Sequence, residues 1–314
     1  RSALGASDRM SERSVCRSCA APELSVFLSL GDLPLSDGLL RNEDVAKPER
    51  RYPLDVAFCG ACSLVQILKT VPPEELFGSD YPYFSSFSDA LLAHSRTNVE
   101  ARIADRDLDG ESLVVELASN DGYLLQFYAR RGIPVLGIDP APGPAQAAIE
   151  RGVPTLNAFF TKELAEQLRR EGRRADVVHG NNVLAHVADT NGFVAGIRTI
   201  LKDDGVAVIE VPYVRDLIDH CEFDTIYHEH LCYFSVHALR ALFARNGLSL
   251  NHVERLSIHG GSLRLFVEPR EQVGESVRQL LAEEERIGLT RLDYYRDFSK
   301  RVQQVRTELR ALLG

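Results

Sequence analysis

A chain of 314 residues, 45% hydrophobic and 26% charged, can bury a sizeable core and has the length of two domains. Its net charge of −9 argues against a nucleic-acid partner held through phosphate contacts, although an anionic small molecule needs only a local positive patch. No run approaches the roughly 18 apolar residues of a membrane helix and no apolar signal segment opens the chain, so no membrane partner is expected and the cytoplasm is the expected compartment.

In chain order, residues 1–14 read as a disordered tail. Four of the six cysteines then form two pairs, Cys16-x-x-Cys19 and Cys59-x-x-Cys62, while Cys221 and Cys232 stand apart. In a reducing compartment disulfides are disfavoured, and paired knuckles of this spacing suit tetrahedral zinc. A redox C-x-x-C is the alternative. Four thiolates would leave no open coordination position, so one structural Zn2+ is expected, with no catalytic role. The hydrophobic runs of 15–72 are short and interrupted by Gly31, Pro34, Gly38 and Pro53, so this small module needs the metal as a staple. Residues 73–110 read as a linker. It holds an aromatic loop, Tyr81-Pro82-Tyr83-Phe84-Ser85-Ser86, which either packs between modules or covers a site, and a helical stretch over 87–104.

From 111 to 270 strands and helices alternate. Strands are predicted over 112–118, 134–138, 153–156, 176–179 and 205–211, with helices reaching 131, spanning 162–171 and running through about 201. This β-α-β alternation predicts an α/β fold with a parallel sheet covered by helices on both faces. A helix over 235–246 and strands over 248–257 and 262–268, joined through His259-Gly260-Gly261, close the pattern with a hairpin, where dinucleotide-binding folds tend to continue with parallel strands. Residues 271–314 form a charged helical segment. In it Tyr295, Phe298, Val302, Val305, Leu309 and Leu312 recur at spacings of three and four, an apolar seam that must bury against something. Docking on the chain's own body, and hence a monomer, is expected; a coiled-coil dimer is the alternative.

The first strand-to-helix turn, Glu116-Leu117-Ala118-Ser119-Asn120-Asp121-Gly122, lacks the G-x-G-x-x-G that would cradle a pyrophosphate. Carboxylates at Glu116 and Asp121 disfavour a diphosphate and suit a ligand with an amino group, such as the aminoacyl part of S-adenosylmethionine. Asp139, at the end of the second strand and followed by Pro140, can bind both hydroxyls of a ribose. Asn157 and Phe159, after the third strand, are placed to flank an adenine.

The fifth strand leads to Tyr227-His228-Glu229-His230, where three ionisable side chains and a phenol fall in four residues. Ligand crevices lie outside the carboxyl ends of such strands, and a His or Glu there can serve as a general base. His228, His230 and Cys232 also form an alternate-residue set that could hold a metal if the segment were extended. His179, at a strand end, reads as structural.

Taken in order, the two C-x-x-C pairs, E-x-A-S-N-D-G-Y, H-G-N-N-V-L-A-H-V-A-D, Y-H-E-H and H-G-G-S-L-R resemble the zinc-containing C-methyltransferases of nucleotide-linked deoxysugars, which act at C3 of 4-keto sugars. The resemblance runs from about residue 15 to the C-terminus. It implies a class I S-adenosylmethionine-dependent methyltransferase sheet and a TDP-linked 4-keto sugar as substrate. It also implies a further Rossmann-like domain after the last helix. Ala118, Asn120, Gly122 and Asn181 join the expected cofactor-binding set. His230 is the implied base: the 4-keto group acidifies C3–H, and loss of that proton gives an enolate that attacks the methyl group. Tyr227 and Glu229 would orient the base or hydrogen-bond the substrate, with Asn182, His186 and Tyr81 facing the same crevice. The rivals are a nucleotide-sugar oxidoreductase or epimerase, which needs the missing diphosphate cradle, a zinc-module adaptor without activity, and an O- or N-methyltransferase.

Overall fold

The computed structural model describes residues 15–76 and 83–314; the expected N-terminal tail and Tyr81 lie outside the described residues. The N-terminal part contributes β1 (Ser25–Leu33), β2 (Tyr52–Phe58), β3 (Val65–Ile67) and a single helical turn, α1 (Pro73–Leu76). The linker helix α2 (Asp89–Asp105) leads into β4 (Val114–Leu117), α3 (Leu125–Ala129), β5 (Val135–Asp139), α4 (Pro142–Glu150), β6 (Thr155–Asn157) and α5 (Lys162–Arg170). Then come β7 (Ala175–Asn181), α6 (Thr190–Ile200), β8 (Leu201–Pro212), α7 (Val214–His220), β9 (Cys232–Tyr233) and α8 (Val236–Arg245). The chain closes with β10 (Ser249–Leu256), β11 (Ser262–Glu268), α9 (Glu275–Ile287) and α10 (Leu292–Leu313).

Helix starts follow local chemistry. Ser88, Thr161, Asp189 and Ser235 each cap a helix by accepting a backbone N–H three residues on, those of Leu91, Leu164, Gly192 and Ala238. The main sheet has seven strands in the order β10-β11-β8-β7-β4-β5-β6, with β11 antiparallel to its neighbours and the remaining pairs parallel. The predicted alternation and closing hairpin are therefore present. Boundaries differ: the third parallel strand starts two residues later than expected and ends one later, and the helix after Gly122 is shorter because an irregular turn occupies its start.

The N-terminal sheet was not legible as built. Its order is β1-β2-β3-β9, all antiparallel, and β9 arrives from the core, directly after the Tyr227–His230 motif. The module that ends near residue 72 in the sequence is thus completed by residues 232 and 233. The C-terminal seam docks only in its first half. Tyr295, Phe298 and Val302 are buried, with the Tyr295 ring 5.1 Å from Phe27 and 5.0 Å from Phe58, whereas Val305, Leu309 and Leu312 are exposed.

One buried carboxylate ties the C-terminal segment to the core. Glu284 of α9 is fully buried and accepts the Tyr213 hydroxyl (2.9 Å), the backbone N–H of Val236 (2.7 Å) and His237 (3.0 Å), and the His237 ring (2.6 Å). It caps α8 from outside. Glu284→Ala leaves these donors unpaired and is expected to lower stability by about 3 kcal/mol, read from the urea midpoint. Burial works against the charged form of His237, but Glu284 and Glu285 outweigh it and raise its pKa. Its contribution is therefore complete below the unfolded value of about 6.5 and fades as pH rises through the raised folded value.

Candidate active site

At the carboxyl ends of the parallel strands lies a cavity of about 940 Å3. Besides Tyr83 and Ser85 of the linker, its walls draw on three groups of residues. One is the turns after β4, β5, β6 and β7, contributing Ala118, Asn120, Asp139, Pro140, Phe159, Asn181 and Asn182. The second carries His186, Tyr227, Glu229, His230 and His259. The third is the N-terminal module itself, through Asp37, Thr70 and Val71. Of the residues expected from sequence, Glu116, Gly122 and Asn157 do not line the cavity. Gly122 shapes the turn: its φ of +75° suits glycine, and a Cβ there would meet Val153 at 3.0 Å. Asn157 holds the Asp139–Pro140 turn by donating to both carbonyls, at 2.9 and 3.0 Å.

Ala118, Asn120, Asn182 and His259 line the cavity with φ between +48° and +55°. Left-handed backbone at non-glycine residues costs of order 1 kcal/mol each and gathers where a fold holds a ligand. The β4–α3 turn explains how it is held. The Asn120 N–H donates to Asp139 (2.8 Å), and its side chain accepts the Ser85 N–H (2.9 Å) and donates to the Tyr83 carbonyl (3.1 Å). The Asp139 carboxylate also accepts the Ala141 N–H (2.8 Å), so both its oxygens are anchored to backbone while each keeps a lone pair. Burial pushes its pKa up.

The turn's other two carboxylates do not face the ligand space as the sequence suggested. Asp121 is buried and taken up by Arg151 (2.6 Å) and the Ser86 hydroxyl. Glu116 is buried beneath the turn beside the Tyr123 hydroxyl, and desolvation raises its pKa well above the ordinary carboxyl range. Tyr123, which sequence reasoning missed, lines the cavity and stands beside Glu116.

On the opposite wall, His230 is held at both ring nitrogens. Its Nδ1 lies 2.8 Å from the Thr225 carbonyl, which can only accept, so Nδ1 carries the proton. Nε2 is then an acceptor, and it takes the Tyr227 hydroxyl at 3.0 Å. Burial lowers the His230 pKa, which keeps the ring neutral, and burial pushes the Tyr227 phenol up, which keeps it a donor. His186 stacks edge-on, 4.8 Å between centroids, and burial followed by the His230 ring pulls its pKa down to about 3. Glu229 is buried against Asp37 from the N-terminal module; burial first, then the neighbouring carboxylate, push it up to about 8. Thr225 and Asp37 were invisible to motif reading, because neither belongs to a motif and Asp37 lies far away in the chain.

The alternative metal set fails on geometry. Residues 227–230 form a turn closed by the His230 N–H on the Tyr227 carbonyl (3.0 Å), so alternate side chains diverge. His228 turns away to the Tyr52 carbonyl (3.1 Å). Among the described residues the metal-compatible group is Cys16, Cys19, Cys59 and Cys62, whose sulfurs all lie within 4.8 Å of one another. Two sulfur pairs stand at 3.5 and 3.6 Å, close to the roughly 3.8 Å that tetrahedral Zn–S bonds of 2.3 Å require and far beyond a disulfide bond. The residues fit a structural zinc site of four thiolates. His179 is structural as expected, buried and bonded to the Tyr128 hydroxyl at 2.9 Å.

A sheet in this order, with its one reversed strand and a cavity over the carboxyl ends of the first four parallel strands, defines a class I S-adenosylmethionine-dependent methyltransferase. A methyltransferase domain family matches residues 93–253, a zinc binding domain family 16–77, and a C-methyltransferase C-terminal domain family 257–314. C-methyltransferase NovU of Streptomyces niveus is 36% identical over 95% of this chain and 71% of its own length. A ubiquinone biosynthesis O-methyltransferase of Azorhizobium caulinodans is 32% identical, but over only 31% of this chain and 38% of its own length. Magnesium protoporphyrin IX methyltransferase from Synechocystis PCC 6803 with bound SAH superimposes with a TM-score of 0.44 at 20% identity, covering 56% of this chain and 82% of that one. This chain belongs to the C-methyltransferases that carry an N-terminal zinc-binding domain. That membership sets aside the oxidoreductase and adaptor readings. No helix among the described residues is long and apolar enough to cross a membrane.

Proposed function

We propose that the chain methylates C3 of a TDP-linked 4-keto deoxysugar, with His230 as the base. The observation that carries this reading is the fixed tautomer of His230: a neutral imidazole whose Nε2 accepts the Tyr227 hydroxyl at the wall of a cavity large enough for a cofactor and a sugar, so that a shift of that hydroxyl frees the lone pair for substrate. When bound, S-adenosylmethionine supplies an electrophilic methyl group on sulfur. Nε2 takes the C3 proton, which the adjacent ketone acidifies, and the electron pair of that C–H bond becomes the enolate. The Tyr227 hydroxyl, released from Nε2, can donate to the enolate oxygen. Bound S-adenosylmethionine would give up its methyl group from sulfur to that enolate carbon, and the His230 imidazolium returns its proton to solvent.

Glu229, Asn182, His186 and Tyr81 complete the sugar side of this proposal. Ala118, Asn120, Asp139, Pro140, Phe159 and Asn181 hold the cofactor, supported from behind by Glu116, Gly122 and Asn157. The four cysteines hold one structural zinc, which suits a cytoplasmic setting where thiols stay reduced. Asp139→Ala removes the carboxylate assigned to the ribose and is expected to weaken S-adenosylmethionine binding at least tenfold by calorimetry. The reading is tested by incubating the protein with S-adenosylmethionine and a TDP-4-keto-6-deoxy sugar in D2O and weighing the nucleotide sugar. A gain of one methyl group in the product, with deuterium at C3 of the substrate that remains unmethylated, is expected; deuterium without methyl would leave the base assignment standing and the donor assignment in error, and neither signal would overturn the substrate.

A further inference from the structure

We propose that Arg17, inside the first cysteine knuckle, is a positioning residue that ties the zinc–thiolate centre to the His230 segment. Its side chain leaves the knuckle and crosses β3. Nη1 donates to the Ile67 carbonyl (2.5 Å) and Nη2 to the Thr70 hydroxyl (2.7 Å), and Thr70 lines the cavity. The same residue, Ile67, uses its N–H to hold the Leu231 carbonyl (3.0 Å), and the Leu231 N–H is held in turn by the Ala185 carbonyl (2.8 Å). Leu231 follows His230 and Ala185 precedes His186, so three hydrogen bonds lead from the knuckle to the backbone beside both cavity histidines.

Charge explains why an arginine stands there. Four thiolates around one divalent ion carry a net negative charge that neutral thiols lack, so an occupied centre is the stronger partner for the guanidinium. The knuckle's own attachment does not depend on this side chain. The Arg17 N–H donates to Gln66 (2.9 Å), and the Arg17 carbonyl accepts from Thr190 (3.1 Å) and Asn191 (2.9 Å). Arg17→Met should therefore keep the module docked while cutting the link.

The inference rests on His230 being the base, and its primary test needs no substrate. The zinc-loaded chain, its Arg17→Met and Arg17→Lys variants would be compared by metal analysis, S-adenosylmethionine binding and the 15N spectrum of the His230 ring. Arg17→Met is expected to keep its zinc and bind the cofactor within about twofold of wild type, yet shift the His230 ring signals and expose its Nδ1–H to solvent exchange. Turnover should fall about tenfold in kcat with KM little changed, and lysine should restore part of both effects. An unaltered His230 spectrum in a folded, zinc-loaded Arg17→Met protein would overturn the proposal. If that variant loses its metal or its fold, Arg17→Gln decides: it keeps a polar side chain in the knuckle but is too short to reach the Ile67 carbonyl, a shifted spectrum supports the link, and an unchanged one overturns it. A wrong substrate would silence turnover in every variant but leave the ring spectrum readable, which separates the two failures.

Discussion

His230→Asn is expected to reduce methyl transfer by about 10^3-fold and to abolish substrate C3 deuterium exchange, with S-adenosylmethionine binding unchanged. Asparagine keeps a polar side chain near Thr225 and Tyr227 but cannot take up a proton at Nε2. The magnitude follows from general-base catalysis, which contributes roughly 10^2- to 10^4-fold when the base is correctly placed. The pH profile gives an independent check. Burial lowers the His230 pKa, so the base form persists below the ordinary value of about 6.5 and the acid limb of kcat/KM should lie under it. The limb should vanish with the imidazole. Near wild-type exchange in His230→Asn would transfer the role of base to another group, of which Tyr227, Glu229 and His186 are the neighbours in reach.

Removing the metal, by chelation or by Cys59→Ser, is expected to cost more stability than any single core substitution. Structural zinc contributes on the order of 10 kcal/mol to small domains whose cores cannot hold alone. Here the effect should reach the active site. The sheet β1-β2-β3-β9 includes the strand that follows His230, and the N-terminal module places Asp37 against Glu229. We therefore expect about one zinc per chain by elemental analysis. Chelation should lower the melting temperature by more than about 10 °C and remove activity before the seven-stranded sheet unfolds. Retention of activity in zinc-free protein would reduce the module to an appendage.

Much of this protein was legible from one dimension. The apolar runs of β4, β5, β7 and β8 show a buried parallel sheet because strands covered on both faces must be apolar throughout. The two C-x-x-C pairs announce their site because each knuckle is a local turn. Tyr227, Glu229 and His230 stood out because chemistry-bearing residues were concentrated beyond one strand, and the folded chain brings them together with Asn182 and His186 at one cavity.

Where a side chain points was not legible. Glu116 and Asp121 look alike in the turn, yet one lies beneath it and the other is neutralised by Arg151, a partner supplied by the end of α4. Whether Nδ1 or Nε2 of His230 carries the proton depends on a carbonyl five residues earlier, which any residue type could supply. The pairing of β3 with β9, and of Asp37 with Glu229, joins segments more than 160 residues apart. Periodicity and spacing report local geometry, and so the sequence alone determined the elements, the metal-compatible cysteines and the residue types gathered at the candidate site. Contacts between distant segments depend on how whole elements pack, and only the tertiary structure decided which carboxylates are sequestered, which histidine nitrogen carries the proton, and that the N-terminal module forms one wall of the cavity.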